Sequence, residues 1–163
     1  MPKKKTYDVI VIGAGSAGFS AAIAAREQGA KTLIIEKERL GGECPNYACV
    51  PSKALLKTAK VYKTVRKAGN FGITTGNVEF DFSRLMSYRH EVVDTLTGGG
   101  EYGDRYLDIA KKRKISIVHG EAEFIDAHLL EVEGQLYEGK AIVIATGAID
   151  FIPSIPGIDD VPY

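Results

Sequence analysis

Apolar residues along this chain follow two rhythms, short unbroken runs and stripes spaced three or four apart, and the alternation between them predicts its elements. Tyr7 to Ile12 is a near-continuous apolar run, the pattern of a strand buried on both faces. Gly13-Ala14-Gly15-Ser16-Ala17-Gly18 follows at once, and the alanine-rich segment from Phe19 to Gln28 predicts a helix stopped at Gly29. Thr32 to Ile35 is the next buried strand, closed by the acidic Glu36.

Further along, the stripe of Leu55, Ala59 and Tyr62, backed by Leu56 and Val65, predicts a helix from Val50 to Ala68. Gly69 to Gly76 is loop-like. Leu85, Tyr88, Val92 and Leu96 predict a second helix over Phe82 to Thr97, broken by Gly98-Gly99-Gly100, and a third runs from Gly103 to Lys114. Its closing quartet, Lys111-Lys112-Arg113-Lys114, suits the negative end of a helix dipole. Ile115 to His119 is a third strand. Glu121 to Ile125, Leu129 to Val132 and Gln135 to Tyr137 predict an antiparallel meander, and Ala141 to Ala145 is a last buried strand that runs into Thr146-Gly147. Pro153, Pro156, Gly157 and Pro162 leave no regular element at the end. The expected fold class is α/β, a Rossmann-like domain with a parallel sheet plus a three-stranded antiparallel meander.

Composition changes this picture little. A chain of 163 residues is one domain by the usual size rule, and 45% apolar with 26% charged residues is ordinary for a globular protein. The formal net charge is zero, so no global excess points to nucleic acid or an anionic membrane as partner. Lys3, Lys4 and Lys5 precede a charge-free stretch from Val9 to Ala25 that superficially resembles a signal peptide. Gly13, Gly15 and Gly18 divide that stretch into a strand and a helix start, so a cytoplasmic protein is expected. The lysines of the Val50 to Ala68 helix lack interleaved aromatics and read as a solvated face.

The chemistry concentrates in Gly41-Gly42-Glu43-Cys44-Pro45-Asn46-Tyr47-Ala48-Cys49-Val50-Pro51-Ser52-Lys53, which holds the only two cysteines. Bridging Cys44 and Cys49 closes too small a loop to restrain much chain, which favours a redox pair over a structural staple. Cys49 sits at a predicted helix start, where unpaired N–H groups and the dipole favour a thiolate. Two inert buried cysteines are the second reading. Metal is the third, although His90, His119 and His128 lack ligand-like spacing.

A second constellation surrounds the first strand. Gly13, Gly15 and Gly18 allow a tight turn, a close approach of pyrophosphate to bare backbone, and close packing of helix on strand. The helix beginning near Ser16 aims its N–H groups at the phosphates. Glu36 lies roughly 20 residues on, where a carboxylate accepts hydrogen bonds from ribose hydroxyls and repels a 2'-phosphate. NAD and FAD both fit. The nearby cysteines favour FAD, because a flavin exchanges two electrons with a disulfide.

Gly41 to Lys53 resembles the active-site signature of the class I pyridine nucleotide-disulfide oxidoreductases, the family of dihydrolipoamide dehydrogenase, glutathione reductase and mercuric reductase. Tyr7 to Lys37 is similar to the family's FAD fingerprint, and Ala145-Thr146-Gly147 to its second FAD motif, so the likeness covers Tyr7 to Tyr163. The resemblance implies that Cys44 is the thiol that exchanges with substrate and Cys49 the thiol in contact with flavin. It implies that Lys53 stands near flavin N5, where a fixed cation favours the reduced flavin. Gly13, Gly15, Ser16, Gly18 and Glu36 would contact the adenosine and pyrophosphate, Gly42 the pyrophosphate, and Thr146 and Gly147 would pass close to the cofactor. The chain departs from the family pattern at Glu43, often threonine, at Pro45, usually a small aliphatic, and at Ala48, commonly glycine. Glu43 puts a carboxylate close to the expected pyrophosphate.

The implied activity moves electrons between NAD(P)H and a disulfide, dithiol or metal-ion substrate through FAD and the Cys44/Cys49 pair. Family members extend further, with a nicotinamide domain and an interface domain that supplies a His-Glu pair. Neither His119 nor His128 lies in a matching motif, and there is no second glycine fingerprint. Residues 1–150 are therefore expected to be the N-terminal part of an FAD-binding domain. Residues 151–163 are expected to be a linker toward a nicotinamide domain, through which alone NAD(P)H would enter. The full-length protein is expected to be a homodimer, and the chain an N-terminal fragment of it. The expected sheet order is third strand, second, first, then Ala141 to Ala145, whose outer edge lies open and would promote association. The alternative function is a dinucleotide-binding module without turnover. A flavoenzyme that does not use the thiols is a more distant one.

Overall fold

A computed structural model describes residues 4–149 and 151–160. Lys3, Pro162 and Tyr163, cited above, lie outside them. The elements in chain order are β1 (Lys5–Ile12), α1 (Ser16–Glu27), β2 (Thr32–Glu36), α2 (Glu43–Asn46), α3 (Cys49–Arg66), α4 (Phe82–Thr97), α5 (Asp104–Lys112), β3 (Ser116–His119), β4 (Glu123–Phe124), β5 (Leu129–Val132) and β6 (Gln135–Ile144). Short 3-10 turns occur at Ala68–Phe71 and Ile158–Asp160, so the tail does contain one regular element that its prolines and glycine do not announce.

The strands form one six-stranded sheet in the order β3-β2-β1-β6-β5-β4. β1 lies parallel to β2 with Ile10 opposite Leu33, and parallel to β6 with Ile10 opposite Ile142. The continuous apolar runs arise because both faces of this central part are covered. Val11 and Ile34 point into a cluster with Phe19 and Ala22 of α1 and Ala110 of α5. Ile10, Leu33 and Ile35 point the other way, against Leu130, Val132 and Tyr137 of the antiparallel strands. The sheet curls so that its own outer strands cover that face.

One expectation needs correction here. Gln135 to Tyr137 and Ala141 to Ala145 are not separate strands but the two halves of β6, because Gly139 between them stays in register opposite Tyr7 of β1. β5 pairs with Gln135 to Glu138, which leaves the outer side of the Ala141 to Ile144 stretch without a partner strand among the described residues, as expected.

α3 and α4 pack on one another, and of the other helices and strands α3 touches only α2 and the 3-10 turn after it, while Tyr62 meets Phe80 in the loop before α4 with ring centroids 6.1 Å apart. The buried side of α3 is Pro51 and Ala54, continued by the half-buried Leu55, Thr58, Tyr62 and Val65. Leu56 and Ala59 face solvent, one position off the expected stripe. Asp81 caps α4, accepting from the Arg84 N–H at 3.0 Å.

Candidate functional site

The strands β1, β2 and β6 end together, and the loops beyond them bound a cleft of about 880 Å³. Gly13, Gly15, Glu36, Gly42, Thr146 and Gly147 all line it, so six expected cofactor residues from four distant segments meet in one place. Ser16 opens α1 beside the cleft without lining it, and Gly18 is buried one turn into the helix.

The glycines do different jobs. A Cβ on Gly18 would overlap the Gly13 carbonyl, so that position serves helix-to-strand packing. Gly15 has an ordinary φ of −72°, and a Cβ there would meet only Gly42 Cα at 3.9 Å. The fold does not demand glycine at 15. What its bare backbone leaves free is the cleft itself.

Gly15 is also the N-cap of α1, no side chain caps that end, and the first turn holds no acid. The free N–H groups of this twelve-residue helix therefore present positive potential to an anion. Glu36 lies across from them. Its carboxylate accepts the Ala14 N–H at 2.7 Å and the Glu38 N–H at 2.8 Å, tying the glycine turn to the end of β2. An acid beside a glycine turn and an uncapped helix suits the ribose and pyrophosphate of a dinucleotide such as FAD.

The cysteines sit at one end of this arrangement. Glu43 and Tyr47 line the cleft, and Cys44 lies between them on the one-turn helix α2, an element not expected from the sequence. Cys49 is the first residue of α3, and both thiols are free and exposed. The second reading, two inert buried cysteines, does not agree with this exposure. The Cys44 thiol pKa is raised above its ordinary value, first by a hydrogen bond with the Cys49 thiol, then by desolvation and by charge on Cys49, while Lys53 works to lower it. Cys49 is therefore near enough to act on Cys44, and Lys53 lies one helical turn past Cys49 on α3.

Several supports were not read from sequence. Asn46 is buried, and its amide donates to the carbonyls of Leu40 at 3.1 Å and Gly42 at 2.8 Å, fixing the turn before Cys44. The ring of Tyr106 packs against Gly41, where a Cβ would come within 2.5 Å of Cε2. Burial and the nearby Cys44 raise the Tyr106 hydroxyl pKa. Arg39 lines the cleft with Nε buried and unpartnered. The sequence signal for Asn46 was a polar side chain beside Pro45 in a segment too tight to solvate it. Tyr106 and Arg39 gave none.

Among the described residues, no group of three or more His, Cys, Asp or Glu side chains is arranged to hold a metal ion. No helix there is long and apolar enough to cross a membrane.

An α/β domain whose strand ends carry a glycine-turn cleft, with two exposed thiols on the segment beside it, is the class of protein these features define. A family model described as pyridine nucleotide-disulphide oxidoreductase matches residues 7–162, and the chain belongs to that family. It is 38% identical over 157 residues to a dihydrolipoyl dehydrogenase of Acholeplasma laidlawii, covering 96% of this chain and 45% of that protein. It is 35% identical over 157 residues to a mercuric reductase of Staphylococcus aureus, covering 96% of this chain and 28% of the relative. Among solved structures, the HOCl-induced flavoprotein disulfide reductase RclA from Escherichia coli superposes with a TM-score of 0.74 at 30% identity, over 96% of this chain and 32% of that one. The chain thus spans less than half the length of these relatives.

Proposed function

We propose that this chain is the FAD-holding, dithiol-bearing part of a disulfide oxidoreductase that exchanges electrons between NAD(P)H and a disulfide, dithiol or metal-ion substrate. The observation that carries the reading is that two exposed thiols, Cys44 on α2 and Cys49 at the start of α3, stand in the segment whose Glu43 and Tyr47 line a cleft built by Gly15, Glu36 and the uncapped start of α1. FAD, when bound, supplies two-electron exchange between a nicotinamide and a disulfide. Gly13, Gly15, Glu36, Gly42, Thr146 and Gly147 would hold it.

The chain's own contribution is thiol exchange. The Cys44 thiolate attacks one sulfur of a substrate disulfide, forming a mixed disulfide and releasing one substrate thiolate, which takes up a proton. Cys49 then attacks Cys44, releasing the second substrate thiol and leaving the Cys44–Cys49 disulfide. Two electrons and two protons pass to substrate, and the same number must return to restore the two thiols. Lys53 favours the Cys44 thiolate on which this sequence depends.

The test is reconstitution. The chain, incubated with FAD and passed over a desalting column, should retain flavin, and diamide should convert Cys44 and Cys49 to a disulfide by mass. Retention of no flavin, or thiols that resist diamide pairing, would sink the reading. A chain that retains FAD and pairs its thiols but reduces no disulfide with NADH is the binding-module alternative.

A further inference from the structure

The cleft carries an excess of acidic side chains although its expected ligand is an anion. Its lining includes four carboxylates, Glu36, Glu38, Glu43 and Glu121, against two cations, Lys37 and Arg39. A pyrophosphate brings further negative charge. The α1 N-terminus answers part of this, with about half an elementary charge. Lys37 is already engaged, paired with Glu121 at 3.2 Å.

Arg39 is the cation left over. Among the described residues it forms no ion pair. One terminal nitrogen donates to the Gly100 carbonyl at 3.1 Å, and Nε is buried with no partner at all. A charged N–H withdrawn from water and left unpaired is unfavourable, so this pose of the side chain is incomplete. A turn of the guanidinium toward the cleft would give Nε an acceptor if an anion stood there. The planar fork suits phosphate oxygens, which it can engage in pairs.

Glu43 supplies the reason for such a residue. It opens α2 in the same lining, next to Cys44, and its carboxylate opposes a phosphate entering from that side. We propose that Arg39 receives the pyrophosphate of the bound dinucleotide and offsets the charge of Glu43, making the cleft selective for ligands that carry phosphate. This rests on the dinucleotide reading of the cleft, and Arg39 is a binding residue in it with no part in thiol exchange.

The probes are ADP, which carries adenosine and pyrophosphate, and adenosine, which carries no phosphate, each titrated calorimetrically into the chain. Arg39→Met should weaken ADP by about tenfold, the scale of a lost charge-assisted contact, and adenosine by less than about twofold. Arg39→Lys should keep part of the ADP affinity. Glu43→Thr should tighten ADP on its own and recover part of the loss in the double variant. Added salt should weaken ADP binding more in the unaltered chain than in Arg39→Met. Equal ADP affinity in Arg39→Met, or parallel loss of ADP and adenosine, would overturn the proposal, the second showing that Arg39 only shapes its loop. Should Arg39→Met fail to fold, Arg39→Lys and the salt dependence of the unaltered chain decide it, and an ADP affinity indifferent to both overturns it. An unaltered chain that binds neither FAD nor ADP refutes the dinucleotide reading itself, a result distinct from any loss confined to the variants.

Discussion

The carboxylate of Glu36 accepts a hydrogen bond from the backbone N–H of Ala14 at 2.7 Å, joining the end of β2 to the glycine turn after β1. A second acceptance, from the Glu38 N–H at 2.8 Å, holds the start of the next loop. This acid therefore holds the glycine turn and the following loop in place through the protein's own backbone. Replacing it with alanine strands two backbone donors, and hydrogen bonds to charged groups are worth about 1.5–3 kcal/mol each in favourable settings. Half-exposure lets water compensate in part, so Glu36→Ala should lose about 1–3 kcal/mol in urea unfolding as well as FAD retention. A variant as stable as the parent that merely binds FAD weakly would show that Glu36 acts on the ligand alone.

The influence of Cys49 on the Cys44 thiol sets its reactivity. Because Cys49 is the main cause of the raised pKa at Cys44, removing its sulfur should let that pKa fall toward the ordinary thiol value. The thiolate is the reacting form, so a lower pKa means more thiolate at pH 8. Cys49→Ala should therefore alkylate at Cys44 faster than the parent at pH 8, with its rate-against-pH curve displaced to lower pH. Lys53→Met should displace the curve the opposite way, since that cation favours the Cys44 thiolate. Iodoacetamide labelling followed by peptide mass across pH 7–10 reads both, and coincident curves for parent and Cys49→Ala would remove the interaction from consideration.

The parts of this molecule legible in its sequence are those where one local rule acts alone. β1, α1, β2 and Glu36 were read because a buried parallel strand, a glycine turn and an alanine-rich helix each leave a continuous signature. The six cleft-lining residues followed from spacing and motif. Elements decided by long-range packing were not read. β6 runs through Glu138, Gly139 and Lys140, which interrupt the apolar pattern between its two halves, and it is the pairing with β1 that carries the strand across them. Leu56 was placed in the α3 stripe although α4 covers the other side of the helix. Arg39 and Tyr106 lie 67 positions apart in sequence (106 − 39), and each reaches the site through a contact across the loop at Gly98 to Gly103 or the Gly41 turn.

Beyond Glu138 only β1 pairs with β6, and from Lys140 to Ile144 its outer side has no partner strand among the described residues. Ile144 is 67% exposed on this edge. An apolar edge of this kind recruits another edge, and a charge placed on it interrupts the pairing. The chain should therefore self-associate with rising concentration in sedimentation velocity, and Ile144→Lys should shift the distribution toward monomer. A parent chain that sediments as one monodisperse monomer would rule this edge out as an association site.

Gly15 and Gly18 separate the fold from its ligand most cleanly, since they lie on the same turn yet answer to different neighbours. An added methyl at Gly18 overlaps the Gly13 carbonyl, and backbone cannot move aside as a flexible side chain does. Gly18→Ala should cost about 1–3 kcal/mol or more, the range for overpacking a tight site. Gly15→Ala changes only the helix N-cap, worth up to about 1 kcal/mol, and points its methyl into open cleft. It should unfold in urea near the parent midpoint and yet retain no FAD after desalting. Flavin retention equal to the parent in Gly15→Ala would mean that the space beside Gly15 is not where the cofactor lies. Equal destabilisation by the two substitutions would mean that the turn tolerates no side chain at either place, and the bare backbone at 15 would then no longer point to a ligand.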